Sequence, residues 1–273
     1  MIEPQKLVNA QGESFTVDQA IANLRQREDP SLRYYAAWWL GRFRVTKAAA
    51  IEALQEALSD ETDRSPDGGF PLRRNAARAL GKLGRSESVP ALIQCLNCAD
   101  YYVREAATEA LGALADGRAV SPLLTLMAGG VEAAVLVPGK PHLVQPYGAI
   151  IEALGQLGDR QAIATIEPFL NHSVQSIQNA ATRALYQLTG EAHYGERLVH
   201  ALRAGDLQQR RSALMDLGAI GYLPAADAIA SATAENSLKL IALKGVLEHE
   251  LGQPPHSLSA DSQRVMALMD SLL

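Results

Sequence analysis

One short phrase recurs along this chain and decides its architecture. It reads LRYYAAWWLG (32–41), LRRNAARALG (72–81), VREAATEALG (103–112), YGAIIEALG (147–155), IQNAATRALY (177–186), QRRSALMDLG (209–218) and LKLIALKGVL (238–247). Its anchor residues are Leu40, Leu80, Leu111, Leu154, Leu185, Leu217 and Val246, spaced by 40, 31, 43, 31, 32 and 29 residues. A base period near 31 therefore carries two insertions. Four residues before the anchors stand Ala36, Ala76, Ala107, Ile150, Ala181, Ala213 and Ala242, the spacing of one helix face. Between anchors lies a second apolar stretch, such as AAAIEALQEAL (48–58), SVPALIQCL (88–96) or QAIATIEPFL (161–170). Two helices per period, with no strand pattern anywhere, predict an all-α fold, an α-solenoid.

The turn residues give the phase. Asp29-Pro30 precedes one phrase and Asn97 to Asp100 another, the signals of a helix start. The first unit is thus predicted as helix A over 17–28 and helix B over 31–43. The expected organisation is an extended N-terminal segment (1–16), a repeat array (17–253) and a C-terminal capping helix within 254–273, near 260–272. Insertions at 60–70 (DETDRSPDGGF from Asp60) and 129–145 (GGVEAAVLVPGKPHLVQ) read as loops rich in Gly and Pro.

Composition removes several classes of function. With a net charge of −5, wholesale nucleic-acid binding is not expected, because phosphate contacts need a surplus of Lys and Arg on one face. No apolar run is long enough to span a membrane, and the opening MIEPQKLVNAQGESF has no secretory core. Two cysteines exclude a disulfide scaffold and fit a reducing compartment, the cytoplasm. Cys95 and Cys98 in QCLNC lack the second ligand pair that zinc requires, so no metal site is expected. Of six histidines, His142 is singled out, because insertions on a repeat array often reach a ligand.

The repeat resembles the short HEAT-like repeat first noted in bilin lyases. That resemblance implies a right-handed α-solenoid of about seven HEAT-like helix pairs, with the B helices lining a concave groove. The groove would then be faced by positions −6 and −2 from each anchor: Tyr34 and Trp38, Arg74 and Arg78, Glu105 and Glu109, Gly148 and Glu152 in the first four units. Unit one breaks the charged pattern by placing Tyr and Trp there. An exposed aromatic pair is costly to leave in water unless something covers it. The competing reading is a terminal unit covered by the N-terminal segment. Trp39 and Tyr35, whose equivalents are small, suit that packing better.

The string RYYAAWWLGRFRV (33–45) near the start of such an array resembles the E-type subunit of the E/F phycobilin lyases, the phycocyanobilin lyases of the phycocyanin alpha subunit. The resemblance implies a cyanobacterial enzyme subunit, active as a heterodimer with an F-type subunit. The pair attaches phycocyanobilin through a thioether to a cysteine of alpha-phycocyanin, and can also remove it. The acceptor supplies the nucleophile, so the bilin is a substrate and no prosthetic group is expected. What the lyase must supply is orientation and exclusion of water. Propionates call for Arg, the ring system for aromatics, and pyrrole nitrogens for a carboxylate. The expected bilin contacts are Tyr34, Trp38, Arg74, Arg78 and Glu105, with Trp39 and Arg33 from the same aromatic string. Glu109 and Glu152 are the expected proton donors. The alternative is a non-catalytic HEAT-repeat scaffold binding a protein in its groove, which has no special need of an aromatic pair beside an Arg pair.

Overall fold

The computed structural model describes residues 15–252 and 258–273, so most of the N-terminal segment 1–16 and the Gln253-Pro254-Pro255 linker lie outside the described residues. The regular elements are all helices, with one isolated antiparallel bridge between Leu136 and Leu143. The chain forms two compact units, residues 1–157 and 158–273.

The first unit holds four helix pairs: α1 (Val17–Arg25) with α2 (Pro30–Arg42), α3 (Ala48–Ala57) with α4 (Pro71–Leu83), α5 (Val89–Cys95) with α6 (Tyr101–Leu114), and α7 (Val120–Leu126) with α8 (Tyr147–Leu157). Their starts follow the sequence signals. Thr16 and Gln19 form a reciprocal capping box on α1, Asp29 accepts the Leu32 N–H on α2, and Asp100 accepts the Tyr102 N–H on α6. Helix α1 stops at Arg25, short of the predicted 28, because the Gln26 side-chain carbonyl takes the N–H groups of Glu28 and Asp29 and turns the chain there.

The anchors Leu40, Leu80, Leu111 and Leu154 are fully buried. The glycine after the anchor lets neighbouring B helices touch backbone to backbone. A Cβ built on Gly41 would lie 2.8 Å from Ala79 Cα, and one on Gly81 would lie 2.8 Å from Ala110 Cα. No side chain larger than hydrogen fits at either seam.

A second device repeats seven residues before the anchor. Arg33 donates to the Leu24 carbonyl, Arg73 to the Ser59 and Asp60 carbonyls, Arg104 to those of Cys98 and Ala99, and in the second unit Arg210 donates to Gly205. Each of these carbonyls lies at or just beyond the C-terminal end of the preceding A helix, where backbone oxygens lack partners and cations are favoured. This row therefore staples the A helix to the B helix in four of the seven pairs.

The second unit repeats the plan with α9 (Ile163–Ile166) and α10 (Gln175–Thr189), α11 (Ala192–Ala204) and α12 (Leu207–Ile220), α13 (Ala226–Ser231) and α14 (Asn236–Gly252). The seven pairs match the number that the repeat predicts. Helix α15 (Ala260–Asp270) ends two residues before the predicted limit. Its Val265 is fully buried in the cluster that includes Leu217, Leu243 and Val246, so it covers the last open apolar face.

Candidate functional site

In the first unit, adjacent B helices present the predicted positions on one face. On α2, Tyr34 is 39% exposed and Trp38 is half-buried, stacked on Tyr35 at 5.5 Å between ring centres. On α4, Arg78 is exposed and pairs with Glu109 of α6, Nε to Oε2 at 3.6 Å. Arg74 is half-buried, with its guanidinium 5.8 Å from the Tyr102 ring centre and its Nε buried without a hydrogen bond among the described residues. Glu152 lies half-buried on α8. Aromatic, cationic and acidic groups thus follow one another across neighbouring helices.

Glu105, one turn before Glu109 on α6, has the most altered environment of these acids. Burial first, and then the Glu109 charge, raise its carboxyl above the usual range, although a hydrogen bond from Tyr101 and the charges of Arg78 and His142 oppose this. The Tyr101 phenol is held well above its usual value by burial and by Glu105, which accepts its proton in the hydrogen bond. Such a carboxyl keeps its proton further toward neutral pH than an exposed glutamate.

Two predicted contacts lie elsewhere. Arg33 is buried, with its Nη2 2.6 Å from Asp60 Oδ2 and its other nitrogens on Thr62 and the Leu24 carbonyl. Trp39 is 1% exposed and packs on Phe43 at 4.8 Å and Phe15 at 6.3 Å. Both side chains are buried in this structure, Arg33 in an ion pair with Asp60 and Trp39 among aromatic rings, with the Trp39 Nε1 lacking a hydrogen bond among the described residues. Phe15, the first described residue, also meets Tyr35 at 5.4 Å, while the rest of the segment expected to cover this unit lies outside the described residues.

The two insertions add residues that repeat reasoning missed. They line a cleft of about 690 Å³ at the N-terminal ends of α4 and α6. The second insertion is fixed there by Arg104, which donates to the Val144 carbonyl and to Gln145 Oε1. His142 stacks on Tyr101 at 4.1 Å and meets Tyr102 edge-on at 5.8 Å. In the first insertion, the Phe70 ring lies between the guanidinium groups of Arg64 and Arg73, 4.1 and 4.0 Å from its centre. Its N–H donates to Asp100. The hydroxyl of Ser65, and with it the charge of Lys140 from the second insertion, lower the Asp67 carboxyl. Two sequence signals reach this cleft: Arg74 on the repeat face and His142 in the second insertion.

The buried Cys95 lacks the features of a reactive thiol. Burial pushes Cys95 up to about 11, and the Arg73 guanidinium lies 3.9 Å from Cys98. Among the described residues, no helix is long and apolar enough to cross a membrane.

Comparison with known proteins gives this geometry a context. A family described as HEAT repeats matches residues 64–135, and one described as PBS lyase HEAT-like repeat matches residues 32–60 and 146–172. The phycocyanobilin lyase subunit alpha of Picosynechococcus sp. is 60% identical, over 96% of this chain and 97% of its own. The phycocyanobilin lyase subunit alpha of Nostoc sp. is 58% identical over the whole of both chains. A solved structure of the complex of CpcE and CpcF of phycocyanin lyase from Nostoc sp. contains a chain 57% identical, superposing over the full length of both chains with a TM-score of 0.89.

Proposed function

The chain belongs to the phycocyanobilin lyase alpha-subunit family, and from that premise we propose that the exposed B-helix face of its first unit holds a linear tetrapyrrole for transfer to a protein thiol. It is a bilin lyase subunit and acts beside an F-type subunit, as its relative does in the complex of CpcE and CpcF. The bilin is phycocyanobilin, the acceptor a cysteine of the phycocyanin alpha subunit, and the tetrapyrrole passes through as substrate.

The observation that carries this reading is the order of groups on neighbouring helices: Tyr34 and Trp38, then Arg74 and Arg78, then Glu105 and Glu109. In the reaction the acceptor sulfur adds to the ring-A ethylidene. A carbon–sulfur bond forms, the exocyclic double bond is consumed, and the thiol proton is delivered to the bilin, so no oxidant or reductant is needed. The chain's part is to hold and polarise. Trp38 and Tyr34 offer ring faces to the conjugated system. Arg74 lies where a propionate can pair with it. Glu105 is the best placed acid, because Glu109 is tied to Arg78, whereas burial holds the Glu105 proton for donation to a pyrrole nitrogen. Glu109 and Glu152 flank it and complete the acidic end of the row. A protonated bilin is more electrophilic at ring A, and a covered site keeps water and free thiols from competing.

Reconstitution tests the reading. The chain, an F-type subunit, phycocyanobilin and apo alpha-phycocyanin are mixed, with each omitted in turn, and denaturation-resistant red absorbance on the acceptor is measured. An adduct that requires both subunits is expected. Attachment no faster than the spontaneous background, with an active partner preparation, would leave a scaffold in place of an enzyme.

A further inference from the structure

The charged groups around the cleft between the two insertions do not balance. Arg64, Arg74, Arg104 and Lys140 line it against only two carboxylates, Asp67 and Asp100. Asp100 is already committed, since its oxygens accept the N–H groups of Tyr102 and Phe70. Asp67 accepts the Ser65 hydroxyl at 2.5 Å. Arg104 donates to the Cys98, Ala99 and Val144 carbonyls and to the Gln145 amide oxygen, all of them neutral, and it shares the charge of Asp100. Arg74 has no ion pair among the described residues, and its Nε is buried without a partner. A low-dielectric cleft with surplus positive charge focuses its field on an anion.

The remaining surfaces are flat and conjugated. Tyr102 is partly exposed, with its ring beside the Arg74 guanidinium, and the stacked Tyr101 and His142 rings form the wall contributed by α6 and the second insertion. The volume, about 690 Å³, is that of a small-molecule site. Arg78 lies outside the lining of this cleft, with Glu109 3.6 Å from it.

We propose that this cleft is the anion subsite of the bilin site: Arg74 from the repeat and Lys140 from the second insertion bind the propionate carboxylates, and the bilin ring nearest them lies against Tyr102. The proposal rests on the tetrapyrrole reading above and assigns the insertions a task within it. They select a ligand that carries free carboxylates, and they hold the two central rings, which bear the propionates, beside α4.

The test compares phycocyanobilin with its dimethyl ester, which has the same ring system and no carboxylate charge. Both are titrated into the chain together with its F-type subunit and followed by the red absorbance band. Wild type is expected to bind the free acid about tenfold or more tightly than the ester, and Arg74→Gln and Lys140→Gln each to reduce that ratio toward one by weakening the acid alone. Equal binding of acid and ester by wild type would overturn the anion subsite and leave the tetrapyrrole reading intact. So would an unchanged ratio in both variants. Binding of neither form would overturn both. The ester comparison needs no mutation and stands even if a variant folds poorly.

Discussion

Arg33 and Asp60 form a buried ion pair, Nη2 to Oδ2 at 2.6 Å, that joins helix α2 to the first residue of the first insertion. The pair is not isolated. Thr62 bonds to both members, and the Leu24 carbonyl takes a further Arg33 hydrogen. Removing one partner leaves a charge in a site closed to water. Arg33→Ala and Asp60→Ala are each expected to lower the unfolding free energy by about 3–5 kcal/mol, read by urea titration. A bilin contact at Arg33 would instead predict weakened chromophore binding with stability unchanged.

The same pair sets an acid limit. Burial alone would raise the Asp60 carboxyl, but hydrogen bonds from Arg33, the Asp63 N–H and Thr62, together with the Arg33 charge, outweigh it and hold it at about 2, below the ordinary 3.8. A carboxyl lowered in the folded state stabilises above its unfolded value. That contribution is lost as pH falls from 3.8 through about 2. Stability measured across this window should fall more steeply in wild type than in Asp60→Asn, whose deficit is already present at neutral pH.

Adjacent tryptophans should separate stability from binding. Trp39→Ala empties the space between Phe15 and Phe43 and should cost about 3–5 kcal/mol. Trp38→Ala gives up one stacked contact and partial burial, about 0.5–1.5 kcal/mol, and should slow chromophore transfer about tenfold. Thermal melts and the transfer assay on the same two variants give opposite rankings if the face is assigned correctly.

Helix contact gives another prediction. Gly81→Ala would drive a methyl into Ala110, whose Cα would lie 2.8 Å from it, and backbone cannot move aside as a side chain can. Overpacking of this kind costs about 1–3 kcal/mol, whereas alanine in an ordinary helix position is the better helix former. The melting temperature of Gly81→Ala should therefore fall.

Glu105 should show itself in the pH profile. Its carboxyl is raised, so the folded chain binds a proton that the unfolded chain has released, and stability falls as pH rises from the ordinary glutamate range through the raised value. Chromophore transfer should lose rate on the same limb. Glu105→Gln should remove both dependences and slow transfer by about a hundredfold at the optimum.

Most of the helical plan was legible because it is periodic. The anchors, the alanines before them and the caps Asp29 and Asp100 announce themselves by spacing and residue type. The row Arg33, Arg73, Arg104 and Arg210 was equally visible as a pattern, yet its meaning was not. An arginine that serves a helix end and one that serves a ligand look alike until the carbonyls it reaches are known. The contacts of the insertions were the least readable. Asp60 with Arg33, and His142 with Tyr101, join irregular segments to helices across long stretches of chain, and no period marks such pairs.

Asp100 carries a wider consequence. One carboxylate starts helix α6 through the Tyr102 N–H and holds the end of the first insertion through the Phe70 N–H. The loop therefore cannot be transplanted as a cassette. A chimera that received residues 60–70 without the downstream helix start would inherit the letters of the insertion and not its shape. A piece that keeps both ends of this insertion in place runs from Arg33 of α2, which holds Asp60, to the first turn of α6, across the border between two repeats.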